Sequence, residues 1–127
     1  MPEQNTPSGP INLERSEDFA SFYANHIWYE NSVWDLKLLF GEVDQSKTNT
    51  VLQHTGITLS WLQVKLLIYF LQVNLAFNEL QNGNVNIPLS VMPPAPDPLA
   101  PEGANDPVAQ AQREKVIQLR EKLLKGA

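Results

Sequence analysis

Residues 60–83 read Ser-Trp-Leu-Gln-Val-Lys-Leu-Leu-Ile-Tyr-Phe-Leu-Gln-Val-Asn-Leu-Ala-Phe-Asn-Glu-Leu-Gln-Asn-Gly, and this stretch decides the fold. Ser60 is a good N-cap, and Gln63 three residues later completes the sequence of a capping box. Leu59 and Val64 hold the two positions of a hydrophobic staple around that cap. At the far end, Asn82-Gly83 offers a glycine for the left-handed conformation that closes a helix. The stretch therefore predicts a helix from about Trp61 to Gln81.

At about 100° per residue, Leu62, Leu66, Phe70, Val73, Phe77 and Leu80 form one apolar stripe. Val64, Ile68, Leu71 and Leu75 form a second on roughly the opposite side. Two narrow polar seams part them: Lys65, Tyr69, Gln72 and Glu79 on one, Gln63, Asn74 and Asn78 on the other. A surface helix needs one apolar face, and the first stripe is expected to pack on a sheet. The second needs either the same helix from another copy or the C-terminal segment folded back over it. Self-association through Val64, Ile68, Leu71 and Leu75 is the expectation, because an identical helix is the nearest complementary surface. A membrane span is not expected: the longest unbroken apolar run is Leu66 to Leu71, against the ~20 residues a span requires.

Upstream, Phe22 to Asn31 is rich in aromatic residues and predicts a strand. A tight turn near Asn31-Ser32 leads into a second strand, Val33 to Val43. Asp44 to Asn49 is a polar loop of turn-forming residues. Thr50 to Leu59 predicts a third strand, β-branched at Thr50, Val51, Thr55, Ile57 and Thr58. Short connections favour an antiparallel meander. A further extended piece, Val85 to Leu89, follows the helix, so the sheet is expected to have three or four strands.

Ten prolines punctuate the chain, three in the first ten residues and seven between Pro88 and Pro107. Met92 to Pro98 (Met-Pro-Pro-Ala-Pro-Asp-Pro) reads as a semi-rigid polyproline-like linker. Asp106-Pro107 then pairs an N-cap with proline at the first helical position. The last helix, about Val108 to Lys125, is amphipathic, with Ala109, Val116, Leu119 and Leu123 on one side and Glu121 four residues before Lys125. The fold class expected is α+β: an antiparallel three- to four-stranded meander, a long apolar helix, a Pro-rich linker and a C-terminal amphipathic helix. The expected division is a flexible leader over 1–17, an α+β core over 18–91, the linker over 92–106 and the helix over 107–126.

The proline-free core is short, about 75 residues, and a domain of that size buries roughly 60% of its unfolded surface. With no cysteine, neither disulfides nor a cysteine-based zinc site can brace it. Oligomerisation remains. Residues 1–91 carry nine acidic side chains against four basic ones, which argues against nucleic acid as a partner. The first ten residues show neither an apolar run nor a basic cluster, so a cytoplasmic location is expected.

No phosphate-binding glycine motif, metalloprotease motif or nucleophile elbow occurs. His26 and His54 fall in different strands, and with Glu30 or Asp35 they could line a metal site, though isolated histidines are more often ordinary sheet residues. Glu30 and Asp35 flank the predicted turn, where Asp35 is better suited to accepting turn N–H groups than to acid–base work. No catalytic residue, metal or cofactor is expected. Phe22, Tyr23, Trp28, Tyr29, Trp34, Phe40 and Trp61 form a dense aromatic set that serves either as core and interface packing or as an exposed binding surface. Trp28, Trp34, Val116, Leu119 and Leu123 are the candidate partner surface. The last helix also carries Arg113, Lys115, Arg120, Lys122 and Lys125 against Glu114 and Glu121, a mildly positive face.

Tyr23-Ala24-Asn25 with Ser32-Val33-Trp34-Asp35-Leu36-Lys37-Leu38-Leu39-Phe40-Gly41 resembles the Ser-x-x-Asp-Phe-x-Leu-x-Phe-Gly hairpin of a family of small prokaryotic proteins known as a domain of unknown function. Ser60, Lys65, Leu71, Asn74, Glu79 and Gly83 match that family's helix in order, and the resemblance covers about residues 22–88. Two positions depart: the proline usual after the capping serine is Trp61, and the tyrosine usual before the helix glutamate is Asn78. The resemblance implies a strand-strand-strand-helix unit and carries no activity. In architecture the chain is also similar to the export chaperone SecB, which implies helix-mediated oligomers and exposed aromatics that hold extended polypeptide. The expected function is thus a non-enzymatic, homo-oligomeric protein-binding or scaffolding module, a dimer or tetramer. The alternative is an adaptor whose C-terminal helix captures one dedicated partner.

Overall fold

A computed structural model describes residues 10–125. The first nine residues of the expected leader, and the last residue of the expected 107–126 helix, lie outside them. The protein is α+β: a three-stranded antiparallel sheet followed by two α-helices. It divides into two compact units, residues 1–65 and 66–127.

In the first unit, β1 (His26–Asn31), β2 (Asp35–Val43) and β3 (Val51–Ser60) pair in the order β1-β2-β3. The register places Ile27, Tyr29, Leu36, Leu38, Phe40, Thr55, Ile57 and Leu59 on one face, because opposed residues share a face and successive ones alternate. His26, Trp28, Glu30, Lys37, Leu39, Gly56 and Thr58 occupy the other. Among the described residues, Leu38, at the centre of the apolar face, is the one buried large apolar side chain.

The β1–β2 turn is closed by one hydroxyl. Ser32 Oγ donates to Asp35 Oδ1 (2.9 Å) and accepts from the N–H groups of Trp34 and Asp35 (3.1 Å each). Short polar side chains that bond nearby backbone stabilise tight turns in this way. Val33 and Trp34 are left projecting at the tip, 84% and 82% exposed. In the β2–β3 loop, Asp44 Oδ1 accepts from Ser46 Oγ (2.6 Å) and Ser46 N–H (2.9 Å), and Asn49 takes the left-handed conformation (φ 51°).

The Ser46 hydroxyl, and then the Ser46 N–H, hold the Asp44 carboxyl below the ordinary carboxylate value of 3.8. A group depressed in the folded state stabilises above its unfolded value and loses that contribution as pH falls through the folded one. The Ser46 amide resonance should therefore titrate with a midpoint below 3.8. A midpoint at or above that value would show the loop to be open in solution.

The strand β3 runs directly into α1 (Trp61–Asn82). Ser60 Oγ accepts from Gln63 N–H (3.3 Å), which is half of the expected capping box. Ser60 itself is still a β3 residue opposite Asp35, so the strand and the cap share it. Gly83 (φ 87°) ends the helix, its N–H bonding Glu79 C=O at 3.0 Å. The segment after it forms no fourth strand among the described residues. Pro88 lacks an N–H, Leu89–Val91 is a 3₁₀ turn, and the Val85 N–H is taken by Glu79 Oε2 (2.8 Å). The second unit closes with a 3₁₀ turn at Pro101–Gly103 and α2 (Pro107–Leu124). Asp106 caps α2 by accepting from the N–H groups of Val108 and Ala109, with Pro107 at the first position as expected. No helix among the described residues is long and apolar enough to cross a membrane.

Candidate functional site

Several polar side chains and one glycine hold the backbone in place. Asn25 Oδ1 accepts from Val43 N–H (2.9 Å) and ties the start of β1 to the end of β2. Ser32 and Asp35 build the turn described above. Asn74 Nδ2 donates to Phe70 C=O (2.7 Å), and Glu79 folds back over the end of α1 to Val85. Gly41 is buried at a bulge, where Phe40 faces Thr55 but Gly41 faces Gln53, leaving His54 as the extra residue. A Cβ on Gly41 would collide with Leu52 O and come within 2.9 Å of Gln53 Cα. Trp61 donates its indole N–H to Ser32 C=O (3.0 Å) and clasps the hairpin tip.

The two histidines have different surroundings. His54 is committed to structure: its ring stacks on Phe22 (4.7 Å between centroids), and Nε2 donates to Tyr23 C=O at 3.0 Å. A carbonyl can only accept, so Nε2 carries a proton, and Nδ1 bonds the Thr55 hydroxyl (2.8 Å). With both nitrogens bonded, this ring pins the segment before β1 onto the sheet. His26 sits on the Trp28 face opposite Gly41. Among the described residues no three His, Asp or Glu side chains gather as a metal site would require.

Of the candidate partner residues, Trp28 lies mid-strand on the His26–Glu30 face and Trp34 at the hairpin tip. Both are exposed, and no ring–ring contact joins them among the described residues. The α1 stripes stand equally open, for no residue of the helix is buried. In the first stripe, Leu62, Leu66, Phe70 and Phe77 are exposed and Val73 half-buried. In the second, Ile68, Leu71 and Leu75 are exposed and Val64 half-buried.

The segment read as a linker lies along α2. Arg120 Nε donates to Pro93 C=O (3.0 Å), Arg113 Nε to Asp97 C=O (2.9 Å) and Arg113 Nη2 to Pro96 C=O (3.4 Å). Gln110 bonds Ala104 C=O further along, so the two run antiparallel. The spacings agree: the seven residues from Arg113 to Arg120 span about 10.5 Å of α-helix. The three to four from Pro93 to Pro96 and Asp97 span about 9–12 Å of polyproline chain. The docked stripe of α2 is Ala109, Arg113, Ile117, Arg120 and Leu124, all half-buried. Val116, Leu119 and Leu123 lie beside it, exposed, and with Met92, Pro93, Pro94 and Arg120 they line a shallow groove. Proline carbonyls receive no bond from their own polyproline helix, which is why two forked donors a heptad apart can secure it. Ile117, Leu124 and both arginine clamps escaped the sequence reading; the matched spacing of arginines and prolines was the signal.

Replacing Arg120 with Ala removes one charged donor at a half-buried site and should cost about 1 kcal/mol. Loss of nuclear Overhauser contacts between Pro93 and the Arg120 turn of α2, with α1 unaffected, is the expected reading. Unchanged contacts would show that the arginine is not the clamp. No family model matches the chain, and no curated protein or solved structure matches it significantly.

Proposed function

We propose that the protein is a non-enzymatic, cytoplasmic, homo-oligomeric module that binds or scaffolds other proteins, with α1 as its assembly element. The observation that carries this is a 22-residue helix with two apolar stripes and no buried residue. An apolar surface of that extent is a liability on a free monomer, and a second copy of the same helix is its simplest cover. Val64, Ile68, Leu71 and Leu75 form the interface in this reading. The structural duties of Asn25, Ser32, Gly41, Asn74, Glu79 and Gly83 support the non-enzymatic part, since they explain these residues without invoking chemistry. Exposed Trp28 and Trp34 favour contact with extended polypeptide in the manner of the export chaperone SecB. The solution mass of the full chain tests the proposal. A dimer or tetramer at micromolar concentration supports it, and a clean monomer overturns it.

The groove beside α2 favours a second reading, in which the C-terminal helix captures one dedicated partner. Val116, Leu119 and Leu123 remain exposed there although the Pro-rich segment is already docked.

A further inference from the structure

Charge along α2 is sorted by the docking of the Pro-rich segment. Arg113 and Arg120 spend their donors on the carbonyls of Pro93, Pro96 and Asp97. At about 100° per residue, Glu114 and Glu121 fall on the side of α2 away from Val116, Leu119 and Leu123. Lys115 and Lys122 fall along the free border of that apolar stripe, two turns apart and exposed. Neither has a carboxylate three or four residues away in either direction, so neither is neutralised by its own helix. The groove thus has an apolar floor of Val116, Leu119 and Leu123, one wall of Met92, Pro93 and Pro94, and one border of unpaired positive charge.

We infer that this groove docks an acidic amphipathic segment of a partner protein, apolar residues on the floor and carboxylates against Lys115 and Lys122. A second copy of α2 is the poorer occupant, because it would bring the same two lysines to the border and like charges repel there. The inference rests on the reading of the protein as a protein-binding module and names the chemistry of what it binds.

The test uses the full chain and two synthetic helical peptides with the same leucine stripe, one bordered by glutamates and the other by lysines, read by fluorescence anisotropy. The glutamate-bordered peptide is expected to bind and to weaken with added salt, and the lysine-bordered one to bind at least about tenfold more weakly. Reversing the border, Lys115→Glu with Lys122→Glu, should exchange the two preferences. Leu119→Asp should reduce binding of the glutamate-bordered peptide by about thirtyfold or more, with helix content checked by circular dichroism. Equal binding of the two peptides, binding of neither, or a preference unmoved by the reversal overturns the inference. A solution mass that falls with Leu119→Asp overturns it in favour of a second copy. A protein that is monomeric yet still discriminates the peptides would sink the α1 assembly alone, so the two readings fail separately.

Discussion

Under the proposed α1 assembly, Leu71→Asp should yield single chains of 14.3 kDa, read by light scattering behind size exclusion at micromolar concentration. Leu71 lies midway along the second stripe and is 57% exposed, so the charge displaces little within its own chain. Full burial of a leucine contributes about 1.5–3 kcal/mol, and a two-fold interface buries it twice. Removing that and placing two carboxylates in the apolar seam costs several times as much, because a buried unpaired charge is strongly penalised. The loss should exceed a thousandfold in dissociation constant, about 4 kcal/mol. Gln72→Asp, one residue away on a polar seam, should leave the mass unchanged. A Leu71→Asp protein of wild-type mass would refute the interface assigned to this stripe.

Gly41→Ala should unfold the sheet. The obstacle is space: the added Cβ meets Leu52 O and Gln53 Cα, which are backbone atoms of β3 at the bulge and cannot swing aside. Overpacking of a well-filled site typically costs about 1–3 kcal/mol, and here relief requires parting β2 from β3. A unit with Leu38 as its one described buried large apolar side chain has little reserve against that. Denaturant unfolding followed by tryptophan fluorescence should show the transition shifted by about 3 kcal/mol or lost. Gly56→Ala provides the contrast. Its Cβ would meet Leu39 Cδ2 at 3.2 Å, the end of a side chain that can yield, and a cost under about 1 kcal/mol is expected. Equal effects at the two glycines would show that the bulge is not the tight point.

The local elements were legible because each is written in a few adjacent residues. Strand composition, the Ser60 cap, the Gly83 stop and the Asp106-Pro107 start are short-range signals, and all four stand in the structure. The third and fourth members of the expected sheet fared differently. β-branched residues favour β3, whereas the Val85 N–H is taken by a glutamate six residues earlier, a bond that composition does not announce. His54 shows the same limit. A histidine in a strand reads as a neutral sheet residue or a ligand, and only the bulge explains why it instead clasps Phe22 and Tyr23.

The sequence by itself determined that three strands and two helices form and where α1 and α2 start and stop, whereas β1 and β2 begin later, at His26 and Asp35, than the expected Phe22 and Val33. Those properties follow from propensity and periodicity, which act within a few residues. Only the tertiary structure decided that Gly41 lies against the backbone of β3, that Trp61 clasps the hairpin tip, and that the prolines lie along α2 under Arg113 and Arg120. Each joins residues well apart in the chain, such as Gly41 with Leu52, Arg113 with Asp97 and Trp61 with Ser32. Such contacts depend on strand register and on the match between two different helical rises, and a hydrophobicity pattern encodes neither.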